Sequence, residues 1–223
     1  MLIDFHAHIL PGLDHGSTGL EQSLGQLRLA QAAGVNCIVA TPHFYSGRDN
    51  LSEFLLKRQT AYEELSRANK TGIRIIPAAE VQISSDLSGL DGLNRLSVGD
   101  TDYILLEMPN RPWNERDLDT VLKVASNGKR KVIIAHIDRY PPEDVEMLLG
   151  FALMMQVNSD ALCRQLGRKR LKRMIEANQI GLLGSDVHCG DIQAYSRFQK
   201  ALGVLGTLGV HMMDCASRAL GLD

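Results

Sequence analysis

A chain of 223 residues with 24 Lys+Arg, 26 Asp+Glu and a formal net charge of −2 offers no strongly basic surface for nucleic acid or an anionic membrane. No apolar run approaches the length of a membrane span, and the start lacks a basic region followed by a long apolar stretch. Cys37, Cys163, Cys189 and Cys215 are far apart and form no CxxC pair, so free thiols in a cytoplasmic protein are expected. Barrels of this length run undivided, and a single domain over residues 1–223 is the simplest organisation.

Leu2 to Ile9 is a β-type run whose alternation places Asp4, His6 and His8 on one face. Two imidazoles two residues apart on a strand can share a metal, and His15 follows in a loop tightened by Pro11, Gly12 and Gly16. The plainer reading is a buried strand whose histidines are only hydrogen-bonded. Thr18-Gly-Leu-Glu21 has the form of a capping box, and Leu20, Leu24, Leu27 and Ala30 then recur at helical spacing up to Gly34. Val35–Thr41 is a second strand, ending at Pro42-His43. A loop with Tyr45, Arg48 and Asp49 leads to a helix capped by Asn50.

Ile73–Val81 is a third strand with Glu80 near its end, and Ser84–Asp100 has no pattern that assigns it. Tyr103–Met108 carries Glu107, Asn114–Asn127 is helical with Gly128 after it, and Lys131–His136 again ends in a ligand type. A short helix around Glu143–Leu149 precedes the strand Ala152–Asn158. Arg168–Asn178 reads as a basic-faced surface helix, and Gly181–Ser185 as the seventh strand, ending at Asp186-Val187-His188. Ile192–Leu222 reads as helices broken at Gly203, Gly206 and Gly209.

Alternating strands and helices imply a parallel α/β sheet. His6/His8, His43, Glu80, Glu107, His136 and Asp186/His188 each fall at the C-terminal end of a different strand. A closed β/α barrel gathers those ends on one rim, whereas an open sheet spreads them along a line. The pattern therefore favours a barrel of about seven strands. Histidines and carboxylates in this number exceed the roughly four protein ligands one zinc-like ion needs. Two or three divalent ions sharing a carboxylate fit better, with manganese, iron and zinc all compatible. Such clusters suit in-line attack on a phosphate ester, although deamination and amide hydrolysis are also open to them.

His6-Ala-His8, Thr41-Pro-His43, Ala79-Glu80, Leu106-Glu107, Ala135-His136-Ile-Asp-Arg139-Tyr140, Gln156-Val-Asn158-Ser159 and Ser185-Asp186-Val-His188 resemble the PHP (polymerase and histidinol phosphatase) superfamily. Within it they are similar to bacterial tyrosine-protein phosphatases encoded with capsule and exopolysaccharide synthesis. The resemblance runs in order from Met1 to about His188 and weakens beyond. It implies a distorted (β/α)7 TIM-like barrel with two or three divalent metals, manganese foremost, at a trinuclear site. It implies that His6, His8, Glu80 and Asp186 hold the first metal, Glu80, Glu107 and His136 the second, and His43 and His188 the third. The last ligand of the third comes from the first loop: relatives read Asp-Asp-Gly where this chain has Asp14-His15-Gly16, which makes His15 the expected ligand and Asp14 the runner-up.

The resemblance further implies a phosphotyrosine protein as substrate, for instance a bacterial tyrosine kinase of polysaccharide synthesis. Arg139 becomes the candidate catalytic and phosphate-binding cation, because a guanidinium presents a planar fork to phosphate oxygens. Its plainer role is a surface ion pair with Asp138 or Glu143. A second arginine expected five residues after His188 is absent, and Gln193 stands there; Arg197 or Arg48 are the candidate substitutes. Cys189 beside His188 has no basic partner by motif and reads as an inert thiol. The alternatives are a PHP phosphatase for a small ester, such as histidinol phosphate or a nucleotide, and a metal-holding regulatory module without turnover.

Overall fold

The computed structural model describes residues 1–126 and 130–222. Ile3–Ala7 (β1) is buried along its whole length. Leu20–Ala32 (α1) turns Leu27 and Ala30 into the core. The expected capping box at its start is displaced by one position. Gly19 is the N-cap, and Gln22, not Glu21, reaches back to accept from the backbone N–H and hydroxyl of Thr18 at 2.7 and 3.0 Å. The second strand of the sequence pattern is two short ones, Cys37–Ala40 (β2) and His43–Tyr45 (β3). Pro42 between them has no N–H to donate to a ladder. Leu51–Ala68 (α2) starts as expected, with the Asn50 side chain accepting from Glu53 N–H.

The third strand is likewise divided, into Arg74–Pro77 (β4) and Glu80–Gln82 (β5). The two interruptions lie side by side, bridged by Ala78 N–H donating to Ala40 C=O at 2.8 Å and Glu80 N–H to Pro42 C=O at 3.0 Å. The unassigned stretch after β5 holds two 3-10 turns, Leu87–Gly89 and Leu93–Leu96. There follow Tyr103–Glu107 (β6), Glu115–Ser126 (α3), Lys131–Ile134 (β7), Pro142–Glu146 (α4) and Met154–Asn158 (β8). The expected helix stop at Gly128 lies outside the described residues. Ser159–Cys163 (α5) continues directly from β8, a helix that no periodicity announces in five residues. Arg168–Glu176 (α6) buries Leu171, Met174 and Ile175 and leaves its basic face outward, as read.

Ile180–Gly184 (β9) is the last strand. Ala194–Leu205 (α7) and Thr207–Leu220 (α8) break at Gly206 alone, with Gly203 and Gly209 inside the helices. The positive φ of +57° at Gly206, with ψ at −122°, is a conformation glycine adopts readily, and it makes the break.

The strand pairs run parallel, in the orders β1-β2-β4 and β3-β5-β6-β7-β8-β9. Among the described residues, counting the two divided strands once each leaves seven positions. The ring returns to its start through a parallel bridge between Ala7 and Val187. Asp186 N–H donates to His6 C=O at 2.7 Å and His8 N–H to Val187 C=O at 3.1 Å. The close approach of β9 to β1 demands a glycine: a Cβ on Gly184 would lie 2.6 Å from His6 Cβ and 2.7 Å from Gln156 Nε2. The outcome is the expected distorted (β/α)7 architecture, with helices packed around a parallel sheet.

Candidate metal centre

Six of the chain's seven histidines meet at one end of the strands, with Glu80, Glu107 and Asp186 among them. His6 on β1 and His8 just past its end point inward, their Nε2 atoms 3.1 Å apart. Glu80 Oε2 lies 3.3 Å from His6 Nε2 and 3.2 Å from His8 Nε2, and Asp186 Oδ1 lies 3.6 and 3.5 Å from the same two atoms. The other Glu80 oxygen meets His136 Nε2 at 2.7 Å, and Glu107 Oε1 is 3.8 Å from that nitrogen. His43 Nδ1 stands 3.0 Å from Glu80 Oε2 and 4.0 Å from Glu107 Oε2. Glu80 thus faces four imidazoles from the middle of the cluster. On the outer side the exposed His15 ring stacks on His43 at 4.7 Å and on His188 at 4.6 Å.

Neighbouring groups fix which ring nitrogens face inward. Gln156 Oε1 sits 3.1 Å from His6 Nδ1, Asp14 Oδ2 is 2.7 Å from His8 Nδ1, and the Asp186 carbonyl is 2.9 Å from His188 Nδ1. With Nδ1–H donating outward, each ring keeps Nε2 as a lone-pair donor for a cation. Asp14 is thereby fully engaged, since it also accepts from His43 N–H at 2.9 Å and Gly16 N–H at 2.8 Å. Gln156 additionally accepts from His136 N–H at 2.7 Å and donates to Asn158 Oδ1 at 2.9 Å; Asn158 in turn donates to Asp186 Oδ2 at 2.9 Å. The sequence motif contains Gln156 and Asn158 but does not reveal these roles. Their i, i+2 spacing on β8 was the available signal.

The fit to a cation rests on atoms with no other partner. Glu80 Oε2, Asp186 Oδ1, His43 Nδ1 and His188 Nε2 are buried and make no hydrogen bond. Such groups cost about 1–3 kcal/mol each when left unpaired, and here they face one another. Among the described residues three groups hold ligand atoms within 4.8 Å: His6/His8/Asp186, His43/Glu80/Glu107 and His8/His43/His188. Backbone strain is localised here too. His136 and Asp186 are non-glycine residues at φ +31° and +52°, conformations held only where surroundings over-determine them.

The electrostatics are those of a site built for positive charge. Burial resists ionisation of Glu80 and Asp186, but the facing imidazoles outweigh it and keep both carboxyls below the usual range. Burial opposes protonation of His6 and His8, yet nearby carboxylates hold both above the ordinary imidazole value. For His43 and His188 burial prevails and lowers them to about 3 and about 4. Glu107 is pushed up by burial and by the Glu80 charge. Asp4, beneath the site, is pushed up to about 6 by burial and accepts from the Ser185 hydroxyl and N–H at 2.6 and 2.7 Å.

Arg139 follows neither plainer expectation, because Asp138 accepts instead from Asn158 N–H at 2.8 Å. Its guanidinium pairs with Asp186 Oδ2, and 51% of the side chain remains accessible. It lines a cleft of about 440 Å³ with Asn158, Asp186, Arg164 and Arg197. Arg197, one turn after Gln193 at the head of α7, pairs with Asp191. Arg48 stands on the other side, stacked 4.1 Å over the Tyr45 ring and paired with Asp49 at 3.1 Å. It lines a separate cavity of about 340 Å³ with His15 and His43. Cys189 is exposed and accepts from Gln22 Nε2 at 2.9 Å. A larger cavity of about 990 Å³ lies at the opposite ends of the strands, among Arg74, Tyr103 and Lys131. Size does not locate the chemistry here, since none of the three ligand groups lies there.

The family model for capsular polysaccharide synthesis, CpsB/CapC, matches residues 2–205. The tyrosine-protein phosphatase YwqE of Bacillus subtilis is 30% identical over 202 residues, covering 84% of this chain and 77% of that protein. A putative tyrosine-protein phosphatase CapC of Staphylococcus aureus is 26% identical over 201 residues, with the same 84% and 77% coverage. A crystal structure from work on YwqE of Bacillus subtilis and CpsB of Streptococcus pneumoniae, described as unique metal-dependent tyrosine phosphatases, superposes with TM-score 0.83. Identity there is 25%, over 100% of this chain and 95% of that one. Histidinol phosphate phosphatase of Lactococcus lactis shares the fold at TM-score 0.59 and 17% identity, over 92% of this chain and 94% of that one.

Proposed function

Since the chain belongs to the CpsB/CapC family of capsular polysaccharide synthesis, we propose that it is a metal-dependent phosphatase acting on phosphotyrosine in proteins. The observation that carries this is the convergence of His6, His8, Glu80 and Asp186 donors, with buried atoms that make no hydrogen bond and that a cation would satisfy. His6, His8, Glu80 and Asp186 would hold one ion; Glu80, Glu107 and His136 a second; His43, His188 and His15 a third. Divalent ions at these positions, manganese foremost, supply Lewis-acid charge for a phosphoryl group and lower the pKa of water.

The chain's own side chains do the rest. Gln156 and Asp14 hold the imidazoles in the tautomer that leaves Nε2 free, and Asn158 orients Asp186. Arg139 pairs with Asp186 through one nitrogen, and its other N–H groups are available to phosphate oxygens. Arg197 lines the same cleft and is the nearer substitute for a cation at Gln193; Arg48 lies on the far side of the histidines. Both clefts are flanked by exposed side chains, which suits a polypeptide better than an enclosed metabolite. The partner we favour is a tyrosine kinase of polysaccharide synthesis, met in the cytoplasm, a setting that four free cysteines fit; among the described residues no helix is long and apolar enough to cross a membrane.

Metal analysis of the purified protein, followed by hydrolysis of a phosphotyrosine peptide panel beside small phosphate esters, tests the reading. We expect chelation to abolish turnover and phosphotyrosine peptides to be preferred. Turnover that survives complete metal removal would refute the metal role. Preference for histidinol phosphate or a nucleotide would move the chain to the small-ester alternative.

A further inference from the structure

The ligand set is not uniform across the centre. Its inner positions each include carboxylate oxygen, from Glu80, Glu107 or Asp186. The outer corner does not: His8, His43 and His188 bring ring nitrogens within 4.8 Å of one another with no acid in the group. The exposed His15 ring stacks over that corner, within 4.7 Å of His43 and 4.6 Å of His188. The carboxylate beside it in the chain, Asp14, is turned away and engaged by His8 Nδ1 and by the N–H groups of His43 and Gly16. His188 Nδ1 is tied to the Asp186 carbonyl, and its buried Nε2 has no hydrogen-bond partner.

The loop is built to make this so. A Cβ on Gly16 would stand 2.3 Å from the His8 carbonyl oxygen and 2.4 Å from His8 Cβ. Only glycine lets the chain fold down against β1, and that fold places Asp14 under His8 and His15 over the corner.

We infer that this outer corner is a nitrogen-only cation position that selects a borderline ion of the zinc class, while the carboxylate-bearing positions take a harder ion such as manganese. The inference rests on the metal reading above and adds that the centre is of mixed metal. The physical reason is donor type. Neutral imidazole suits zinc, copper, nickel and iron, whereas manganese and magnesium draw on the charge of carboxylate oxygen. The three imidazoles of the group, with the His15 ring over two of them, bring no acid of their own, and the carboxylates that border them, Glu80 and Asp186, are shared with the inner positions, so a hard ion gains less there. Zinc outcompetes manganese to some degree at most nitrogen–oxygen sites, so the informative quantity is the change in preference at one position.

The test uses the full chain freed of metal by chelation and dialysed against manganese in about hundredfold excess over zinc. Zinc is counted by elemental mass spectrometry and bound manganese by electron paramagnetic resonance. Thermal unfolding confirms that each variant is folded. The expected result is about one zinc per wild-type chain, with manganese elsewhere. His15→Asp should lower the zinc-over-manganese preference of that equivalent by about tenfold or more. His15→Ala should release it. Manganese in every wild-type position, or an unchanged preference in His15→Asp, overturns the inference and leaves the phosphatase reading standing. Failure to bind any divalent ion overturns both.

Discussion

At the scale of single residues, Glu80 and Asp14 are carboxylates with different work. Glu80 lies within 3.3 Å of His6, His8, His43 and His136, so its charge is shared by the whole inner site. Asp14 faces only the outer nitrogen of His8 and two backbone N–H groups. Glu80→Gln should therefore empty more than one metal position, while Asp14→Asn should weaken binding by about 10–100-fold, the usual cost of losing a ligand's orienting partner. Metal content and turnover measured side by side decide it; equal losses in the two variants would remove the bridging role.

Arg139 tests the phosphate grip. A charge-assisted hydrogen bond contributes about 1.5–3 kcal/mol, so Arg139→Ala should lower kcat/KM for a phosphotyrosine peptide by one to two orders of magnitude or more. Gln193→Arg places a guanidinium at the head of α7, one turn before Arg197. We expect it to raise kcat/KM. If Arg197→Ala is damaging and Gln193→Arg is silent, the second cation is Arg197, which already lines the Arg139 cleft.

Among the elements, the contact between β9 and β1 carries the site. His6 on β1 and His8 just past its end meet Asp186 and His188 after β9 only because Gly184 lets the strands close to their observed spacing. Gly184→Ala would push against His6 Cβ and Gln156 Nε2 together. Overpacking of this kind costs about 1–3 kcal/mol. For a chain of this size each kcal/mol lowers Tm by about 2–4 °C. The expected outcome is a loss of several degrees together with weaker metal binding, because the displaced residue, His6, is one of the proposed ligands. A fall in Tm with unchanged metal affinity would show that the closure holds the fold and not the site.

For the whole molecule, protons and metal compete for the same rings. His6 and His8 have pKa values above the ordinary imidazole value, so in the metal-free protein they hold protons that a metal must displace. The stability those two protonated groups contribute is present below about pH 6.5 and is lost as pH rises through their raised values. His43 and His188, lowered to about 3 and about 4, act the other way: their contribution is present above about 6.5 and fades as pH falls toward those values. Metal binding therefore strengthens with rising pH, and metal should be lost as pH falls below about 6. The rise in Tm on adding metal should be larger at pH 8 than at pH 6. A shift of equal or greater size at pH 6 would mean that His6 and His8 are not among the ligands.

What the sequence determined by itself is what depends on local pattern. Short apolar strands separated by helices, and a metal-ligand residue type at nearly every strand end, implied a ring of about seven strands with one functional rim, and motif order assigned the family. The divisions at Thr41-Pro42 and Ala78-Ala79, the displaced cap of α1 and the short α5 were not legible, because each depends on a neighbour distant in sequence or on a run too short to show a period. At the site, ligand types could be read, but the partner of each could not. Only the tertiary structure turned Asp14 toward His8 and left His15 over His43 and His188, paired Arg139 with Asp186 instead of Asp138 or Glu143, and gave Gln156 its two histidines. A strand sets which face a side chain occupies, whereas the hydrogen-bond partner on that face is supplied by other strands, up to 150 residues away for His6 and Gln156.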